Sequence, residues 1–261
     1  MAEPTTLRVE QKNAVLTLTL DRPKANAFDL ALVDALLDAL RRAEADNSVR
    51  CLVLTGAGTV FSAGQDVSAL QRTDGPISFR THLERTYNRL ILKMRSLEKP
   101  IVGAINGAAA GAGLGVALAT DVRIAASRAR FVFGFTGIGL TADSGTSLML
   151  PLLMGLARAT EMAFTNSPVP AEQALAWGLV NRVVPDEELA AAAAEFAASL
   201  ASGPTRALSF TKRAFHHAML SALPGALEYE AHLQEIAGQT DDHREGVAAF
   251  LEKRTAVYRG M

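Results

Sequence analysis

Cysteine is almost missing from this chain. Cys51 is the single one in 261 residues, so no disulfide can close within it. Its apolar run, "CLVLTG", predicts a buried structural thiol. No sign of charge is in excess: the formal net charge is −1. That removes the electrostatic footprint of a nucleic-acid binder and of a protein held on an anionic membrane. No uninterrupted apolar run reaches the roughly 20 residues that a membrane-spanning helix needs. "AAAAEFAASLAS" is broken by Glu195 and preceded by "DEE", which reads as a water-facing helix. The opening "MAEPTTLRVEQ" resembles neither a secretory signal nor an arginine-rich transit peptide. Metal-ligand spacing is lacking too. His82, His216, His217, His232 and His243 lie on helix-like segments without a zinc-type set of cysteines or carboxylates, so solvated or packing positions are expected for all of them. These absences predict a cytoplasmic protein without a metal, a nucleic-acid partner or a membrane partner.

What is present is a large apolar fraction. Hydrophobic residues make up 49% and charged residues 20%, which supports a substantial core. "LRVEQKNAVLTLTLDRP" alternates apolar and polar residues around "QKN" and predicts a strand hairpin ended by Pro23. "FDLALVDALLDALRRAEAD" has helical spacing, with Asp29 near its start and Arg41 and Arg42 near its end, as the helix dipole favours. "RCLVLTGAG", "IVGAING" and "DVRIAAS" read as buried strands. "ISFRTHLERTYNRLILKMRSLEKP" predicts one amphipathic helix stopped before Pro100. Strands alternating with helices point to an α/β fold with largely parallel pairing. From Ala171 the pattern changes. "AEQALAWGLVNRVV" gives a helix, with Trp177 as a packing residue, and a short strand. Four helical segments follow. Residues 1–202 are thus expected to form the core, and residues 203–261 a helical region that packs on it or on a neighbouring subunit.

One stretch, "INGAAAGAGLGVALATD", is built almost wholly from small residues. Glycine inside a helix costs about 0.5–1 kcal/mol relative to alanine, yet Gly107, Gly111, Gly113 and Gly115 all lie here. Small residues where a strand passes into a helix let another group approach backbone N–H groups directly. They equally let another element pack closely, and composition does not separate these readings. "FSAGQDVSAL" raises the same question at the end of "CLVLTG". Asp66 there suits the N-cap of a helix beginning near Val67. Two such loops can aim two N–H donors at one oxygen, the geometry of an oxyanion hole.

"FSAGQD", "KPIVGAINGAAAGAGLGVALATDVRIAA", "ARFVFGFTGIGLTADSG" and "AEQALAWGLVNRVV", in this order, resemble the signatures of the crotonase (enoyl-CoA hydratase/isomerase) superfamily. "DRPKANAF" is similar to that family's early coenzyme A loop and "REGVAAFLEKR" to its C-terminal signature. The resemblance implies a crotonase-like spiral of ββα units with a helical C-terminal trimerisation region, assembled as a homo-trimer or homo-hexamer. It implies an acyl-CoA thioester as substrate, with no metal or redox cofactor. By motif position the oxyanion donors are the backbone N–H groups of Gln65 and Ala112. Lys24, Ala25 and Ala27 match the coenzyme A loop, and Ala63, Asp66 and Val67 the adenine-side contacts. Phe250 and Lys253, three apart on a helix and so on one face, match residues that reach a neighbouring subunit's coenzyme A.

The chain departs from the family's hydratases at the positions of their two glutamates, which here are Gly115 and Phe135. Gly115 is expected to leave room for a substrate group. One acid remains nearby, Asp143 in "GLTADSG". The string "FVFGFTGIGLTADSG" is similar to the 1,2-epoxyphenylacetyl-CoA isomerase branch, where this aspartate is the catalytic acid/base, although Ala142 and Thr146 replace that branch's usual proline and glycine. A single carboxylate suits isomerisation, since one group can take a proton and return it. Among apolar neighbours its pKa is expected to rise. The same residue also suits the N-cap of the helix "SGTSLMLPLL". The expected function is an acyl-CoA isomerase. The alternatives are a hydratase or hydrolase with a positioned water, and a non-catalytic acyl-CoA-binding protein. Residues 68–90, which should wall the acyl pocket, carry no specificity signature.

Overall fold

The computed structural model describes residues 6–23, 25–70 and 78–261. The predicted hairpin forms from β1 (Leu7–Lys12) and β2 (Val15–Leu20), antiparallel. It turns at Asn13, whose φ is 53°, a left-handed conformation that asparagine tolerates. In α1 (Leu30–Ala45), Asp29 is the N-cap, its carboxylate accepting the Leu32 N–H at 2.9 Å.

Units then follow in which a first strand joins one sheet and a second strand joins another. β3 (Cys51–Gly56) and β4 (Val60–Ser62) precede α2 (Val67–Leu70), α3 (Phe79–Arg85) and α4 (Tyr87–Ser96). β5 (Ile101–Ile105) and β6 (Ala108–Ala110) precede α5 (Ala112–Leu118). β7 (Val122–Ala126) and β8 (Arg130–Val132) precede α6 (Thr146–Met154) and α7 (Leu156–Thr165). After β9 (Val169–Pro170), α8 (Ala171–Ala176) and β10 (Arg182–Val184) come the terminal helices α9 (Leu189–Ser202), α10 (Thr205–Met219), α11 (Leu223–Ala237) and α12 (Asp241–Glu252). The larger sheet has the order β1-β2-β3-β5-β7-β10, parallel except for the hairpin, and the smaller has the order β4-β6-β8-β9. This is the spiral of ββα units that the family resemblance implies.

Both faces of the larger sheet are covered at its centre, so β3, β5 and β7 are near-continuous apolar runs. Side chains alternate between the faces. Leu52, Leu54, Ile101 and Ile105 join the core shared with α1 and α4. Cys51, Val53, Val102, Ala104 and Ile124 face Leu189, Ala193 and Ala197 of α9. Burial pushes the Cys51 thiol up to about 12, which keeps it in its inert protonated form.

The single helix expected before Pro100 is two helices. The break is at Thr86, with φ −114° and ψ −93°. Its hydroxyl donates to the His82 carbonyl at 2.6 Å, and its N–H is shared between the His82 and Leu83 carbonyls at 3.0 and 3.2 Å. Such local hydroxyl bonding competes with helix continuation. It is invisible to apolar periodicity, which runs unbroken through the segment. The helices beyond Gly203 return to the core. The Lys212 ammonium on α10 lies 2.8 Å from the Asp121 carboxylate, α11 packs against α3, α4 and α6, and α12 lies on the turn at 136–138. Among the described residues no helix is long and apolar enough to cross a membrane.

Candidate active site

The two loops rich in small residues meet backbone to backbone. The Phe28 N–H donates to the Gly64 carbonyl at 2.7 Å, and the Asp66 N–H donates to the Phe28 carbonyl at 2.8 Å. This parallel bridge turns the N–H of the intervening Gln65 to the opposite side. The other loop lies close by: a Cβ on Gly64, whose φ is 85°, would stand 2.6 Å from the Ala110 carbonyl oxygen and 3.3 Å from the Ala112 nitrogen. Ala112 opens α5, so its N–H belongs to the first turn that no helical carbonyl reaches. Among the described residues neither the Gln65 nor the Ala112 N–H donates a hydrogen bond.

The glycines divide by role. Gly111 reverses the chain at φ 53° and ψ −127°. Gly107 and Gly113 serve packing: a Cβ on either would fall 1.9 Å from the Thr59 carbonyl oxygen or 2.7 Å from that of Ser62. Gly115 corrects an expectation. Its missing side chain leaves no room for a substrate group, because a Cβ there would stand 2.4 Å from Ser144 Cβ and 2.7 Å from the Ser144 carbonyl oxygen. Ser144 fills the place.

Asp143 follows from that contact. It precedes Ser144 and is buried. Its Oδ1 accepts the Ser144 hydroxyl at 2.6 Å, and its Oδ2 accepts the Gln234 amide at 2.9 Å. Burial pushes this carboxyl up to about 7, and the charge of Glu230 adds to the rise, while the hydrogen bonds from Ser144 and Gln234 oppose it. The N-cap reading of Asp143 is wrong. Its carboxylate caps no helix; only its backbone carbonyl accepts from Thr146, at 3.0 Å from N and 2.7 Å from Oγ1. Glu230 of α11 caps α6 instead, its carboxylate accepting the Gly145 and Ser147 N–H groups at 2.8 and 2.9 Å. Phe135 stands edge-on to Phe133, ring centroids 4.9 Å apart, and brings only apolar surface.

The Gln65 side chain ties this region together. Its Oε1 accepts the Tyr87 hydroxyl at 2.7 Å and His82 Nε2 at 3.0 Å. An amide oxygen only accepts, so Nε2 of His82 carries the proton. Burial lowers the His82 pKa and favours the neutral ring. His82 is therefore neither solvated nor mere packing. Burial raises the Tyr87 pKa well above normal, and the charge of Asp143 is the next cause, so Asp143 lies within electrostatic reach of the residue that holds Gln65.

The loop expected to border coenzyme A is latched to the same place. Arg22 pairs with Asp29 at 2.7 Å and with the buried Asp66 at 2.8 Å, and donates to the Ala27 carbonyl at 3.2 Å. Asp66 also accepts the Ser68 hydroxyl at 2.6 Å. Ala25 and Ala63 are exposed side by side, the Ala63 N–H donating to the Ala25 carbonyl at 3.0 Å. Ala27 is buried and Val67 half-buried beside them. Lys24 lies outside the described residues, as do residues 71–77 of the expected acyl-pocket wall. Phe250 is exposed on α12. Lys253 does not share its helical face, because it follows the helix as a C-cap at φ 56°. Sequence reasoning missed Arg22, His82, Tyr87, Ser144, Glu230 and Gln234. The last two had a signal: in the buried stripe Leu223, Leu227, Glu230, Ala231, Gln234 of α11, polar residues occupy apolar positions.

Comparison with known proteins shows the family to which this fold belongs. A family model described as enoyl-CoA hydratase/isomerase matches residues 10–261. The chain is 41% identical over 252 residues to the 1,2-epoxyphenylacetyl-CoA isomerase of Escherichia coli K12, covering 95% of this chain and 96% of that one. It is 42% identical over 259 residues to a protein of Rhodobacter capsulatus named "Probable enoyl-CoA hydratase", covering 98% of each. Among solved structures, an enoyl-CoA hydratase from Mycobacterium avium subsp. paratuberculosis K-10 superposes with a TM-score of 0.88 at 34% identity, over 98% of this chain and 99% of that one.

Proposed function

The chain belongs to the enoyl-CoA hydratase/isomerase family, and from that premise we propose that it is an acyl-CoA isomerase acting on a double bond or strained ring near the thioester. Coenzyme A carries the acyl group and supplies binding energy remote from the reacting carbons. The thioester oxygen takes up the charge that develops when a proton leaves the adjacent carbon. The Gln65 and Ala112 N–H groups, which donate no hydrogen bond among the described residues, are the donors for it, each worth about 2.7–4 kcal/mol in the transition state. For a double-bond shift, the C–H bond next to the carbonyl breaks and its electron pair moves onto the thioester oxygen. The proton passes to Asp143, which returns it to the carbon at the far end of the conjugated system as the electrons come back. No water or co-reactant is consumed.

The observation that carries this reading is Asp143 itself: a buried carboxyl pushed up to about 7, where the hydratase glutamate positions hold Gly115 and Phe135. A base of that strength removes a carbon-bound proton better than an ordinary carboxylate and still gives it back near neutral pH. Asp143→Asn tests it. The folded variant should bind acyl-CoA while losing both turnover and solvent-deuterium exchange into substrate. Retained exchange would sink the assignment. The 42% identity to a protein named as a hydratase supports a second reading, in which Asp143 directs a water onto the double bond. Product analysis with a conjugated enoyl-CoA decides between them: water uptake with loss of conjugation favours hydration.

A further inference from the structure

We propose that Gln234 is a positioning residue that fixes which oxygen of Asp143 carries the proton, holding Oδ2 as an acceptor so that Oδ1, shared with the Ser144 hydroxyl, takes and returns it. This rests on the reading of Asp143 as the proton-transfer group.

The argument starts from the amide. Gln234 is fully buried, one helical turn beyond Glu230 on α11. Its Oε1 accepts the Thr141 backbone N–H at 3.1 Å. A backbone N–H only donates, so Oε1 must face Thr141 and Nε2 must face Asp143. The amide cannot flip without setting two donors against each other and burying an unpaired oxygen, each a loss comparable to a broken buried hydrogen bond. Asp143 Oδ2 thus always meets a donor, at 2.9 Å. A proton on the lone pair facing Nε2 would collide with it.

Oδ1 has a different neighbour. A hydroxyl both donates and accepts, so Ser144 Oγ at 2.6 Å can donate to ionised Oδ1 and turn to accept when Oδ1 is protonated. Oδ2 stays an acceptor in both forms, while Oδ1 changes from acceptor to donor and its hydroxyl partner can follow. That asymmetry suits a group that accepts a proton and then delivers it. It is also built at a backbone cost. Ser144 has φ 56°, a conformation costly for a residue with a side chain, and Gly115 is needed to admit it.

The other titratable groups near Asp143 do not supply this asymmetry. Glu230 spends its carboxylate on the Gly145 and Ser147 N–H groups. Tyr87 of α4 and His82 of α3 both turn to Gln65. α5 and α6, which pack on either side, contain no titratable side chain.

Neutron diffraction from crystals of the full-length protein equilibrated in deuterated buffer near pH 5 reads the site without any substitution. The deuteron on Asp143 is expected on Oδ1; a deuteron on Oδ2 overturns the inference. Carboxyl-carbon NMR of aspartate-labelled protein gives an independent measurement, the Asp143 signal being assigned by its loss in Asp143→Asn. Gln234→Met removes a donor whose bond to Oδ2 is stronger for the anion than for the neutral acid, so the Asp143 midpoint should rise by about one pH unit. Ser144→Gly suits the backbone at φ 56° and removes a partner of both forms, so the midpoint should move by less than half as much. No shift in Gln234→Met, or a larger one in Ser144→Gly, overturns the inference. Activity with 3-hexenoyl-CoA as probe separates the two levels. If Asp143→Asn retains wild-type turnover, the acid/base reading itself is wrong. If Asp143→Asn is inactive and Gln234→Met keeps the wild-type pH profile, only the role of Gln234 is wrong.

Discussion

Burial makes the Asp143 anion expensive, and folding carries the cost. Its carboxyl is pushed up to about 7 from an ordinary 3.8. Between those values the folded protein holds a proton that the unfolded chain has released. Stability contributed at this site is therefore greatest below about pH 4, falls as pH rises toward 7, and is level above that, by at most about 4 kcal/mol. Asp143→Asn removes the titration. The variant should be inactive, yet more stable than the wild-type protein at pH 8, with the gain shrinking as pH falls toward 4. Urea denaturation at several pH values checks this, and a gain that does not depend on pH counts against the buried anion. Gly115 gives a second test at this scale. Gly115→Ala gains about 0.5–1 kcal/mol of helix propensity but drives Cβ into Ser144, an overpacking that costs about 1–3 kcal/mol. A net loss of about 1–2 kcal/mol and a fall in turnover are expected, read from the urea midpoint and from assay. Asp143 was singled out by the family resemblance of its motif, whereas its residues alone equally suited a helix cap. The role of Gly115 was not legible in the sequence, because the group that fills its space comes from another loop.

Single elements set how the donors and the acid are presented. Ala112 is the first residue of α5, where proline is tolerated because the N–H has no helical partner. Ala112→Pro is therefore a clean deletion of one donor. Turnover should fall by roughly 10²–10³ with helical circular dichroism unchanged, and near-normal turnover would exclude Ala112. α11 gives the complementary case. Glu230→Ala strips the acceptor from the Gly145 and Ser147 N–H groups, leaving the buried Gly145 donor unpaired at a cost of about 1–3 kcal/mol. Thermal unfolding should show a loss of at least about 1 kcal/mol. Most elements could be read from periodicity because burial imposes it: period 2 in β2, near-continuous apolar runs in β3, β5 and β7, helical spacing in α1. The break at Thr86 and the cap from Glu230 could not be, since both depend on where a polar side chain finds its partner. The two loops proposed to hold the thioester oxygen stood out as small-residue stretches. The residues that brace them, Arg22, Tyr87 and His82, lie in other segments and meet them only in the folded chain.

At the scale of the molecule, the carboxyl-terminal helices leave much apolar surface in water. Phe215 is 66% exposed, Met219 60%, Tyr229 62%, Phe250 61% and Val257 68%. Patches of this kind mark contact surfaces more often than free ones. We therefore propose that residues 203–261 form the contact region of a homo-trimer or homo-hexamer, with Phe250 and Lys253 reaching the coenzyme A of a neighbouring subunit. Deleting residues 242–261 would be a poor test. α12 lies on the turn that leads to Asp143, with the His243 Nδ1–H on the Ile138 carbonyl at 2.8 Å and the Tyr258 hydroxyl on the Gly137 carbonyl at 2.8 Å, so deletion disturbs the protomer as well as its contacts. Substitution at exposed positions avoids this. Phe250→Asp places a charge where the protomer needs no apolar contact, and it should shift the assembly toward monomer with little change in protomer unfolding. Lys253→Glu should leave the assembly intact and weaken acyl-CoA binding about tenfold, equivalent to about 1.4 kcal/mol, the scale of one charge-assisted hydrogen bond. Sedimentation at micromolar concentration and calorimetric titration with acyl-CoA read the two effects separately. A wild-type protein that sediments as a monomer would end the proposal. An oligomer whose acyl-CoA affinity ignores both substitutions would leave these helices a role in assembly alone.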